Sequence, residues 1–151
     1  MSYTSASGRQ QILDECGNAL TELDIALAEL GEAYDHFDEH TAERFEAELF
    51  KPLQAAYSAL THARGGFAGR YGLEVAPPPP PPMPGLRDPR VALANAATAI
   101  HDADDALGEL QDSMLPVEVG DVELRNDLAH SRRLLDPLPA VCRALSRGFG
   151  R

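Results

Sequence analysis

The sequence predicts an all-α protein: a four-helix bundle made of two tandem-duplicated helical hairpins joined by a polyproline linker. Three observations lead there. Leu13, Cys16, Leu20, Leu23, Leu27, Leu30, Tyr34 and Phe37 step alternately by three and four residues, the seam of a helix packed at a shallow angle against its neighbours. Eighty residues on, Leu93, Ala96, Ile100, Ala103, Leu107, Leu110, Met114 and Val117 repeat those steps. Between the two blocks stand six consecutive prolines, Pro77 to Pro82.

Taken in order, the first helix is expected over about 10–37. Beside its seam runs a second column, Ile12, Ala19, Ala26 and Ala33, whose small side chains let another helix approach closely. The second helix is expected over 41–68, with Glu43 in its first turn where the helix dipole favours an acid. Pro52 lies inside it and removes one backbone hydrogen bond, so a kink belongs there. Gly65 and Gly66 are placed to end it.

Residues 73–88 form the expected linker. Its prolines favour polyproline II, which extends about 3.1 Å per residue. A stiff rod of that length suits a crossing from one end of the bundle to the other, so antiparallel docking of the two hairpins is expected. Residues 1–72 and 89–151 are then the hairpins, sharing one core.

The third helix is expected over 89–115. Asp88 is suited to cap it and Pro89 to occupy its first position, where a missing N–H costs nothing; Pro116 should end it. Its small column is Ala92, Ala99, Ala106 and Ser113. Asp24, Ala26, Leu27, Glu29 and Leu30 keep their identities as Asp104, Ala106, Leu107, Glu109 and Leu110. The fourth helix is expected over 121–147, with a sharp break at Pro137 and Pro139 and with Gly148 placed to end it. The stretch 49–60 aligns with 134–145 at six identical positions of twelve, Pro52 and Pro137 among them. Heptads alone do not produce such identities, so a duplication is the expected origin.

Charge narrows the partners. The formal net charge is −11, a field that repels phosphate backbones and anionic lipid, so neither nucleic acid nor membrane is expected as a partner. Residues 1–75 hold 13 acids against 5 bases and residues 76–151 hold 11 against 8. Cys16 and Cys142 fall within apolar helical patterns, where a buried free thiol is expected. Residues 1–11 lack the basic and apolar regions of a signal peptide, and no apolar run approaches the ~18 residues of a membrane span. A cytoplasmic protein is expected.

Chemistry is sparse. His36 and His40 have the i, i+4 spacing of a zinc or iron ligand pair, with Glu43 nearby, and form a weak candidate metal site; a solvated hairpin tip is the competing reading. Ferritin-type centres need Glu-x-x-His pairs on facing helices. Asp127 with His130 is the nearest approach, so a di-iron oxidase is not expected. No nucleophile elbow or phosphate-binding loop occurs, and no cofactor is expected.

Arg143, Arg147 and Arg151 step by four into one basic stripe, which suits an acidic partner. Dipole complementarity at a helix end is the structural alternative. Cys142 stands where the first half has Tyr57, so the two halves are not filled alike. The functional expectation is a non-enzymatic bundle acting through protein–protein interaction, self-association included. The alternative is a metal- or small-ligand-binding bundle.

Overall fold

Residues 2–81, 83, 85 and 88–148 are described by the computed structural model, with side chains from Ser5 onward. Among them the protein is all-α, with several packed helices. Helix α1 spans Ser2–Tyr34. A turn leads into α2 (Glu39–Phe45), whose ladder opens into a π turn at Glu46–Phe50 before α3 (Lys51–Arg70). Then follow α4 (Pro89–Asp112), the short α5 (Leu115–Glu118), α6 (Val122–Leu135) and α7 (Leu138–Arg147).

The two prolines disturb their helices differently. Pro52 has no N–H for the carbonyl of Glu48, and its ring crowds the preceding turn. The chain widens just before it, so that the N–H of Lys51 reaches back to the carbonyl of Glu46. At Pro137 the helix instead stops and restarts. Pro137 becomes the N-cap of α7, and Pro139 falls in its first turn, where no N–H is needed.

Polar contacts set the directions of the helices. Near the start of α1, Arg9 Nε donates to the carbonyl of Val119 just past α5 (3.0 Å), and toward its end Glu29 accepts from Asn95 Nδ2 near the start of α4 (3.4 Å). Helices α1 and α4 are therefore antiparallel. At the far end of α3, Arg70 pairs with Asp121 and Glu123 at the start of α6, so α3 and α6 are antiparallel too. The chain must cross from the end of α3 to the opposite end of the molecule, where Asp88 lies close enough to His36 to feel its charge. The described residues from Leu73 to Pro81 carry no helix on that path.

One apolar cluster draws on α1, α3, α4, α6 and α7. Most of the small columns lies inside it: Ala19, Ala26, Ala33, Ala92 and Ala99 are buried, whereas Ala106 is half-buried and Ser113 exposed. They serve the contact between α1 and α4, the most extensive in the molecule, since two backbones come close only where side chains are small.

Several expectations need correction. Helix α4 stops at Asp112, one turn before Pro116, because Met114 turns the chain into a left-handed conformation (φ 72°). Met114 and Val117, expected on the seam, are more than half exposed, and Tyr34 is 44 % exposed. Gly65 and Gly66 do not end the second helix. It runs through both to Arg70 and is turned by Gly72, whose φ of +66° favours glycine. Glu29, a charged position that recurs as Glu109, is buried beside Asn95.

Candidate functional site

The features most open to a partner lie along the outer groove between α4 and the α6–α7 pair. Three adjoining hollows follow it. The largest, about 540 Å³, has Ala97, Pro139 and Ala140 as its small walls and carries Thr98, His101, Asp104, Asp136 and Arg143. A second, about 280 Å³, lies between Leu93 and Cys142 and is flanked by Arg143, Ser146 and Arg147. A third, also about 280 Å³, lies among Asp104, Arg132, Arg133 and Asp136.

The local sequence explains why the groove exists. Helix α7 restarts after Pro137 and packs along α4, and the small side chains of Ala97, Pro139 and Ala140 leave the hollow between them. Cys142 is fully buried beneath it. In the first half, the aligned Tyr57 lies against α1 and its hydroxyl donates to Asp24 (3.3 Å). Asp104, aligned with Asp24, meets no tyrosine. It accepts instead from Arg132 Nε (2.8 Å), while Arg132 Nη1 donates to Gln111 (2.8 Å). The Arg132 guanidinium lies flat over Gly108, where a Cβ would stand 3.1 Å from it.

Arg143 and Arg147 are exposed and, among the described residues, make no ion pair. Burial pushes the Cys142 thiol up to about 12 despite the opposing charge of Arg143, so the thiolate that a nucleophile requires is not formed near neutrality. Cys16 is likewise held at about 12 by burial, against the pull of Arg64. Both cysteines are free and buried. Asp104 is committed to Arg132.

The other predicted site residues fall elsewhere. His36 lies in the turn after α1, and His40 and Glu43 on α2; all three are exposed. Nearby Asp38 caps α2 by accepting from Thr41 N (2.7 Å), which lowers its carboxyl pKa. Among the described residues no group of three or more His, Cys, Asp or Glu side chains is placed to hold a metal. Arg151 lies outside the described residues. None of the helices described is long and apolar enough to cross a membrane.

The groove of the first half, which sequence reasoning passed over, is occupied. Val75, Ala76, Pro77 and Pro78 lie along α1 and α3, enclosing about 350 Å³ with Leu20, Tyr57, Thr61 and Arg64. Arg64 is the clasp. Its Nη1 donates to the carbonyl of Ala76 (2.9 Å) and its Nε to that of Leu13 (3.3 Å), and its guanidinium lies over Gly17. The signals available in the sequence were the lone arginine on that face of α3 and the retention of Asp24 as Asp104.

Comparison of this chain with protein-family models, with curated proteins and with solved structures finds no match.

Proposed function

We propose that this chain is a non-enzymatic binding module: a four-helix bundle of two duplicated hairpins, tied by a polyproline strap, that acts through protein–protein contact. The duplication is supported by the six identities between 49–60 and 134–145. The observation that carries the function is the α4–α7 groove. It offers two exposed arginines with no ion pair among the described residues, on a molecule whose formal net charge is −11.

Unpaired cations beside an open hollow are complementary to an acidic protein surface, and such charges act mainly on association rate and specificity. A second copy provides one such surface. The antiparallel arrangement puts Arg143 and Arg147 at the end opposite Glu109, Asp112 and Glu118, all exposed. Head-to-tail contact would join the two ends. Arg70 already neutralises Asp121 and Glu123 within the chain, which leaves those three acids as the free part of that tip.

Sedimentation velocity and native mass spectrometry across salt concentrations test this reading. Association should weaken with salt, since exposed charges are screened. The double variant Arg143→Glu, Arg147→Glu should weaken it further without changing the helical signal. A monomer at every salt concentration that retains stoichiometric zinc or iron, lost when His36 and His40 become alanine, would establish the metal-binding alternative instead. The 540 Å³ hollow keeps a small-ligand reading in view, and the same spectra would show a retained ligand as added mass.

A further inference from the structure

Each half presents an outer groove, and in one of them an extended segment of the chain already lies. In the first half, Leu20, Tyr57, Thr61 and Arg64 receive the extended segment Val75–Pro78. In the second, the aligned positions are Ile100, Cys142 and Ser146, while Phe149, the counterpart of Arg64, lies outside the described residues; the groove is open beside Arg143 and Arg147. An extended proline-rich segment has no hydrogen bonds of its own, so its carbonyls need donors from the surface it lies on, and its rings need small or apolar walls. The first groove meets both needs through Arg64, which donates to Ala76, and through Leu20 and Tyr57. The second has Thr98, Arg143 and Ser146 as donors and Leu93, Pro139 and Ala140 as walls.

Charge identifies the occupant more closely. The strap carries one acid, Glu74, immediately before the residues that lie in the first groove. In the second groove two arginines stand exposed with no ion pair among the described residues. An occupant with an acidic residue beside its prolines would therefore find a charge partner there.

We infer that the α4–α7 groove binds an extended, proline-rich segment bearing an acidic residue, supplied by a different protein. This rests on the reading of the Arg143 groove as a protein-binding surface, and it names the chemistry of the partner.

The probe is a fluorescein-labelled peptide with the sequence of residues 73–82, titrated into the full chain and followed by anisotropy. The bound site is then mapped by amide shifts. Saturable binding is expected, with shifts on α4 and α7. The double variant Arg143→Glu, Arg147→Glu should weaken binding at least about tenfold, a difference of about 1.4 kcal/mol. Ala140→Trp, at an exposed position where the fold tolerates bulk, should weaken it comparably by filling the groove. A peptide with alanine for its glutamate should bind several-fold less well, and Lys51→Glu on the first half should leave binding unchanged.

Absence of saturation by about 1 mM, or shifts confined to α1 and α3 where the peptide displaces the strap, would overturn the inference. So would a dimer in which two copies exchange straps, since the segment would then come from the chain itself. If the peptide fails while salt-sensitive association still depends on Arg143 and Arg147, only this inference falls. If both fail, the proposed function falls with it.

Discussion

The two halves of this molecule carry the same apolar seam and treat their outer grooves in opposite ways. In the first, a tyrosine and an arginine line the groove and the chain's own proline segment lies in it. In the second, a buried cysteine and a proline break leave it open, with arginines at the rim. Inward-facing positions are held to a pattern by close packing, whereas outward-facing ones are free to diverge. Halves with like seams therefore differ first where they meet solvent, which is where binding sites arise.

The comparison is tested most severely in the core. If the seams are equivalent, Leu20→Ala and Ile100→Ala should cost alike. Both side chains are essentially fully buried, so each should lose about 2–5 kcal/mol in urea denaturation. That is a large part of the total stability of a domain of this size. A large cost at one position and almost none at the other would show that the halves do not share their core as partners.

Much of this architecture is legible in the sequence, and the exceptions have physical causes. The seams appear because burial imposes a period on residue type, and the cap at Asp88 because few side chains accept from a helix N-terminus. The π turn and the break follow from Pro52 and Pro137. Met114 and Val117 mislead because the heptad runs past the point where the chain leaves the helix. Apolar residues at a bundle end satisfy the pattern without a neighbour to cover them. The pair Gly65 and Gly66 misleads because packing of α3 on α6 holds the helix through weak helix formers.

The site was half legible. Arg143 and Arg147 stand out as a stripe, and the Cys142-for-Tyr57 exchange flagged unequal filling. The groove itself needs the position of α7 after its break, which local sequence does not specify. The burial of Glu29 was invisible for the same reason. It depends on Asn95 arriving from a helix 66 positions away.

An intermediate effect sharpens the contrast between the grooves. Arg64→Ala removes the bond to Ala76 that clasps the strap and the bond to Leu13 that holds the arginine against α1, and should cost about 1–2 kcal/mol, toward the lower end because the contact with Ala76 is exposed. Amides following Leu73 should then exchange faster and the strap should become open to proteolysis. Arg143→Ala, on the open groove, should stay within about 0.5 kcal/mol of wild type. An equal loss at both positions would mean that the strap is not held by its arginine.

The smallest effect compares the two second helices at their starts. Each is capped by an aspartate, Asp38 accepting from Thr41 N (2.7 Å) and Asp121 from Leu124 N (2.8 Å). Only Asp121 is also gripped by an arginine, Arg70, through Nε at 2.7 Å and Nη2 at 2.9 Å. Asparagine caps nearly as well as aspartate, so Asp121→Asn keeps the cap and removes the charge. It should cost about 0.5–1 kcal/mol at pH 7, in the range of a partly exposed pair, and Asp38→Asn should cost less. The dependence on pH has a definite sign. The hydrogen bond from Arg70, with that from Leu124 N adding to it, holds the Asp121 carboxyl below its ordinary value. The folded state therefore binds fewer protons than the unfolded one as pH falls through the ordinary carboxylate value, about 3.9. The stabilisation is present in full above that value and is lost as pH drops through the folded one. Urea midpoints of wild type and Asp121→Asn should thus differ at pH 7 and converge in acid. A gap that persists at low pH would assign the effect to the geometry of the cap and not to the charge that Arg70 holds.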